Sequence, residues 1–89
     1  MAYSLYLAPA AERQLKALEK PVRARIVRRL QKLEETPRPQ SVEKLSGADD
    51  LYRIREGEYR IIYTIKDKAL IVLVVKIGHR KDVYRGLPQ

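Results

Sequence analysis

The stretch LYRIREGEYRIIY, Leu51 to Tyr63, decides the fold of this chain. Two runs of β-branched and aromatic residues alternating with arginine flank Glu56-Gly57, the pattern of two strands joined by a tight turn. A two-residue turn at Glu56-Gly57 pairs Arg55 with Glu58, Ile54 with Tyr59 and Arg53 with Arg60. In that register Tyr52, Ile54, Tyr59 and Ile61 share one face and form core, while Arg53, Arg55 and Arg60 share the other. A three-residue turn would set Arg53 against Ile61 and mix the two sets, so the two-residue turn is expected.

Downstream, Asp67-Lys68 separates this hairpin from Ala69 to Ile77, a third strand that is apolar on both faces and therefore central or covered. Upstream, the apolar period changes from 2 to 3.6. Val22, Ile26, Leu30 and Leu33 form one helical stripe, and Ala11, Leu15 and Leu18 form another. Pro9 and Pro21 each suit the first turn of a helix, and Thr36-Pro37-Arg38-Pro39 ends the second one. Before them Tyr3 to Ala8 reads as a short strand with Tyr3, Leu5 and Leu7 on one face. The order is β-α-α-β-β-β. It predicts an α+β fold, a helical hairpin on one face of a mostly antiparallel four-stranded sheet.

Eighty-nine residues make a single domain, residues 1–89. Nineteen Lys and Arg against eleven Asp and Glu give a formal net charge of +8, self-repulsion that a polyanionic partner relieves. Nucleic acid is the first such partner; an acidic protein or an anionic membrane surface are the others. There is no cysteine and a single histidine, which argues against a disulfide framework and a structural zinc site. No metal or other cofactor is expected. The N-terminal residues lack the pattern of a signal peptide, and the longest apolar run, Ala69 to Val75, is far too short to span a membrane. A cytoplasmic protein without membrane attachment is expected.

Two arginines facing each other across a hairpin repel, so strand stability does not account for Arg53 and Arg60. Either the side chains splay into screened solvent or an anion binds between them. The tail GHRKDVYR, Gly78 to Arg85, adds Arg80 and Tyr84, which point the same way whether the segment is extended or one helical turn. A guanidinium that forks onto phosphate beside a phenol that stacks on a base suits RNA. Tyr84 is equally suited to closing the end of the core.

LYRIREGEYRIIY followed by VVKIGHRKDVYR, Val74 to Arg85, resembles the RelE branch of the RelE/ParE toxin superfamily over nearly the whole chain. The resemblance implies a RelE-like, microbial-ribonuclease-like fold. It implies the toxin of a type II toxin–antitoxin system, a metal-independent, ribosome-dependent endoribonuclease that cuts mRNA in the A site and inhibits translation. It also implies a cognate antitoxin, bound in a hetero-oligomeric complex, with the ribosome and mRNA as further partners. Arg53, Arg55, Arg60, Arg80 and Tyr84 match the family's catalytic positions, with arginine where the best-known members carry lysines on the first strand of the hairpin. Arginine, with a pKa above about 12, is a poor proton carrier. His79 is the one side chain whose ordinary pKa lies near neutrality and stands as a possible general base, with Glu56 and Glu58 as weaker options. Arg25, Arg28, Arg29 and Lys32 form a basic helical stripe, either a solvated surface or an RNA- and ribosome-binding one. Two other functions remain open: a ParE-like inhibitor of DNA gyrase and a non-catalytic RNA-binding relative.

Overall fold

Pro9 and Pro21 both sit in the first turn of a helix, where their missing N–H costs nothing, in a computed structural model that describes residues 2–45 and 50–83. The chain runs through β1 (Ser4–Leu7), α1 (Pro9–Ala17), α2 (Lys20–Glu35), β2 (Glu43–Lys44), β3 (Leu51–Glu56), β4 (Tyr59–Lys66) and β5 (Ile71–His79). The strands lie in the order β1-β5-β4-β3-β2, antiparallel except for the parallel pair β1 and β5. The sheet therefore has five strands where the sequence predicts four. The addition is β2, whose two residues are too few to show an alternating pattern.

Both helices cover one face of this sheet. Ala11 of α1 and Ile26, Leu30 and Leu33 of α2 are buried against Ile54, Ile61, Tyr63, Val72, Val74 and Ile77. A smaller apolar cluster of Leu51, Ile62 and Val83 lies apart from it, built from the residues that alternate to the other face. Among the described residues no helix is long and apolar enough to cross a membrane.

The hairpin register differs from the sequence expectation. Arg55 faces Arg60, Ile54 faces Ile61, Arg53 faces Ile62 and Glu56 faces Tyr59, so the turn residues are Gly57-Glu58 rather than Glu56-Gly57. Gly57 takes φ +61, the left-handed value required at the first central position of a type II′ turn. The difference is a slip of two residues, and an even slip leaves every side chain on its expected face. The arginines still share the face away from the helices. The arginine opposite Arg60 is Arg55, not Arg53.

β5 also begins two residues later than the apolar run, because Leu70 adopts φ 55 in the turn from Asp67. Between β4 and β5 the register shifts: Ile62 faces Lys76 but Tyr63 faces Val74, leaving Val75 as an extra residue. Buried Val74 and Ile77 thus both point to the helices although they lie three positions apart.

The buried Tyr63 hydroxyl donates to the Pro37 carbonyl at 2.7 Å, and burial pushes its phenol well above the ordinary value. Tyr52 stacks on Tyr63 with ring centroids 5.9 Å apart, and the Arg38 guanidinium lies 5.3 Å from the Tyr52 ring. Arg38 then forks onto both oxygens of Asp67, at 3.0 and 2.8 Å, while the Tyr3 hydroxyl donates to the same carboxylate at 2.8 Å. One carboxylate so ties the start of β1, the segment after α2 and the β4–β5 turn.

Candidate active site

The sheet face away from the helices carries the charged residues in two rows perpendicular to the strands. Glu43 of β2, Arg53 of β3, Ile62 of β4 and Lys76 of β5 are successive cross-strand partners and form the first row. Arg55, Arg60 and Gly78 form the second. Adjacent strands lie about 4.8 Å apart, so neighbours within a row are within reach of one another's side chains.

The hairpin turn gathers the second row. Arg60 donates through one guanidinium nitrogen to the carbonyls of Gly57 and Tyr59, at 3.1 and 2.9 Å. Arg80 follows the end of β5; its N–H donates to the Glu58 carbonyl and its Nε lies 2.8 Å from the Glu58 carboxylate. After it, Asp82 and Val83 both donate backbone N–H bonds to the His79 carbonyl, so the chain folds back in one turn. That turn buries Val83 beside Leu51 and Ile62, under the same face. Val83 packs over Gly78, where a methyl would stand in ordinary van der Waals contact with it at 3.5 Å.

Glu43 forms an ion pair with Arg53. The Arg53 hydrogen bond, followed by the fields of Arg53, Arg55 and Arg60, holds its carboxyl below the usual range. A single carboxylate thus feels three of the guanidinium groups. Glu43 on Arg53 and Glu58 on Arg80 occupy their arginines as an anionic ligand would.

The face brings together Arg53, Arg55 and Arg60, and Arg80 joins them at the turn. Tyr84 lies outside the described residues, as do residues 46–49 of the loop before β3. His79 is elsewhere: it pairs with Tyr59 on the helix side of the sheet, where the two rings meet edge to face at 5.8 Å. Its Nδ1 accepts the Lys81 N–H at 3.2 Å. Glu56 also turns to the helix side, with its carboxylate 3.9 Å from Arg29. Arg29 additionally donates to the Ser41 hydroxyl at 3.2 Å, which makes it a tie between α2 and the sheet. Arg25, Arg28 and Lys32 are exposed on α2, in the helix layer across the sheet from the arginine rows.

The sequence reading missed Glu43 and Lys76. Glu43 belongs to a strand too short to recognise. Lys76 was hidden in an apolar run, although a charge there is itself a signal that the run changes face.

In sequence and in fold the chain is similar to known toxins. Residues 5–84 match the family model described as ParE toxin of the type II toxin–antitoxin system parDE. The mRNA interferase toxin RelE of Escherichia coli K12 is 33% identical over 88 residues, covering 94% of this chain and 92% of that protein. The archaeal RelE–RelB complex from Pyrococcus horikoshii OT3 contains a chain of the same fold. It superimposes with a TM-score of 0.79 at 31% identity, over 93% of this chain and 100% of that one. The intact Escherichia coli RelBE toxin–antitoxin complex gives a TM-score of 0.78 at 30% identity, over 88% and 96% of the respective chains. A cationic sheet face assembled around a type II′ hairpin, on a fold shared over nearly its full length with these toxins, makes this chain a type II toxin of the RelE/ParE superfamily, RelE family.

Proposed function

We propose that the chain is a ribosome-dependent endoribonuclease that cuts mRNA in the A site and so inhibits translation. The observation that carries this reading is the clustering of Arg53, Arg55, Arg60 and Arg80 at one end of the sheet face away from the helices, two of them bound to carboxylates. Cleavage proceeds by attack of the ribose 2′-oxygen on the adjacent phosphorus and expulsion of the 5′-oxygen. Charge builds on the phosphate oxygens as the pentacovalent species forms. Forked, permanently charged guanidinium groups that are held before substrate arrives stabilise that charge best. In this reading Arg60 and Arg80, tethered to the turn, bind the scissile phosphate; Arg53 and Arg55 hold the flanking backbone; Tyr84 stacks on a base.

The relatives crystallised as RelE–RelB complexes support a cognate antitoxin as partner. A strongly acidic or amphipathic segment would complement a chain of net charge +8. Arg25, Arg28 and Lys32 offer a second basic surface for ribosomal RNA, with Arg29 recessed and engaged at its base.

Primer extension on mRNA with and without ribosomes tests the reading. Cuts only in the presence of ribosomes are expected, with Arg60→Ala and Arg80→Ala each losing about a hundredfold or more in rate while the circular dichroism stays native. Unchanged cleavage in both variants would overturn the site assignment. His79→Ala is expected to cleave close to the wild-type rate, because the ring lies across the sheet from the arginines. The family model is that of a ParE toxin, which favours a second reading, inhibition of DNA gyrase by protein binding. Intact mRNA together with a block of gyrase supercoiling would support that reading instead.

A further inference from the structure

A face of arginines stabilises an anionic phosphorane, yet none of them readily protonates the departing 5′-oxygen. We propose that Lys76 is the general acid of this reaction, an inference that rests on the nuclease reading above. Strict alternation from the buried Val72 and Val74 would turn Lys76 toward the helices. The extra residue Val75 reverses the phase, so Lys76 instead faces Ile62 on the arginine side. Gln14 of α1 fixes this arrangement by accepting the N–H of Ile77 at 2.8 Å, just past the bulge and beyond the reach of β1. Lys76 is half-buried, in the row of Arg53 and diagonal to Arg60, whose own partner Gly78 has the Val83 side chain packed over it.

Glu43 and His79, two other proton carriers among the described residues, are unsuited to the role. Glu43 is held below the usual carboxylate range and has no proton to give at neutral pH. His79 is on the far side of the sheet. Lysine, unlike arginine, exchanges its proton within the range that enzymes use. In the step, the 2′-hydroxyl loses its proton to water as its oxygen bonds to phosphorus. The phosphorus–5′-oxygen bond breaks, and the Lys76 ammonium passes a proton to that oxygen. The products are a 2′,3′-cyclic phosphate and a 5′-hydroxyl, and neutral Lys76 regains its proton from solvent. The lysine that family resemblance expects on β3 is supplied by β5.

The test is single-turnover cleavage on ribosomes of two mRNAs, one with the natural 5′-oxygen at the scissile site and one with a bridging 5′-sulfur, which leaves without protonation. Lys76→Ala and Lys76→Arg are both expected to lose about a hundredfold on the oxygen substrate and to regain nearly the wild-type rate on the sulfur one. Lys76→Arg cleaving the oxygen substrate like wild type would show a role of charge alone and overturn the proposal. A deficit that persists on sulfur in both variants would overturn it as well. A wild-type protein that leaves both substrates intact refutes the nuclease reading itself, and the role of Lys76 falls with it.

Discussion

Asp67 receives two hydrogen bonds from Arg38 and one from Tyr3 although its side chain is half-exposed. The Arg38 bonds first, then that of Tyr3, lower its pKa from the ordinary 3.8 to about 2. A carboxylate that is more acidic in the folded chain binds its proton more readily when unfolded, so its contribution is complete above pH 4. That contribution is lost as pH falls from about 4 toward 2. The melting temperature should therefore drop through that window, and Asp67→Asn should flatten the drop while lowering stability at neutral pH. An unchanged acid profile in the variant would assign the transition to other carboxylates. At this scale the sequence shows which arginines share a face, because their alternation survives a slip of two residues. It does not show Glu43 or Lys76 on that face, since each gets there through backbone events, a two-residue strand and an extra residue, that leave no trace in apolar periodicity.

The β3–β4 hairpin is the element on which the site depends, because its turn anchors both Arg60 and Arg80. No atom lies within 4 Å of a Cβ built on Gly57, so any cost of a side chain there is conformational. Gly57→Ala should lower stability by about 1 kcal/mol, the left-handed penalty less the entropy that alanine removes from the unfolded chain, as read from urea midpoints. Cleavage should fall by more than this loss of stability explains, because a re-formed turn moves the carbonyls that hold Arg60. Equal losses would mean that the turn positions nothing. The two helices and three long strands were legible because each carries a periodic stripe or an apolar run, bounded by proline, by Gly57 or by the polar Asp67-Lys68. The turn position was not, since Glu-Gly and Gly-Glu are both compatible with the same residues and only the backbone angle at Gly57 decides between them.

Across the described residues two basic surfaces have the sheet between them: the arginine rows, and the exposed Arg25, Arg28 and Lys32 of α2. Neutralising Arg25 and Arg28 should reduce the slope of log affinity for ribosomes against log salt by about 0.7–0.9 for each phosphate that the helix no longer neutralises. The rate of cleavage at saturating ribosomes should stay the same. An unaltered slope would identify α2 as plain solvent surface. The α+β layering was legible in the sequence because the order of elements nearly dictates it; how the two basic surfaces are shared out depended on register.

The parallel pairing of Ser4–Leu7 with Ile71–Val74 has a consequence for biosynthesis. The earliest of the described strands waits for the latest, and β5 lies between β1 and β4 as the keystone of the sheet. A nascent chain that has not yet released β5 from the ribosome can form its helical hairpin early, but it has no closed sheet, no Lys76 and no Arg80 in position. The fold therefore delays its own completion: the arginine face is assembled only after β5 has left the ribosome.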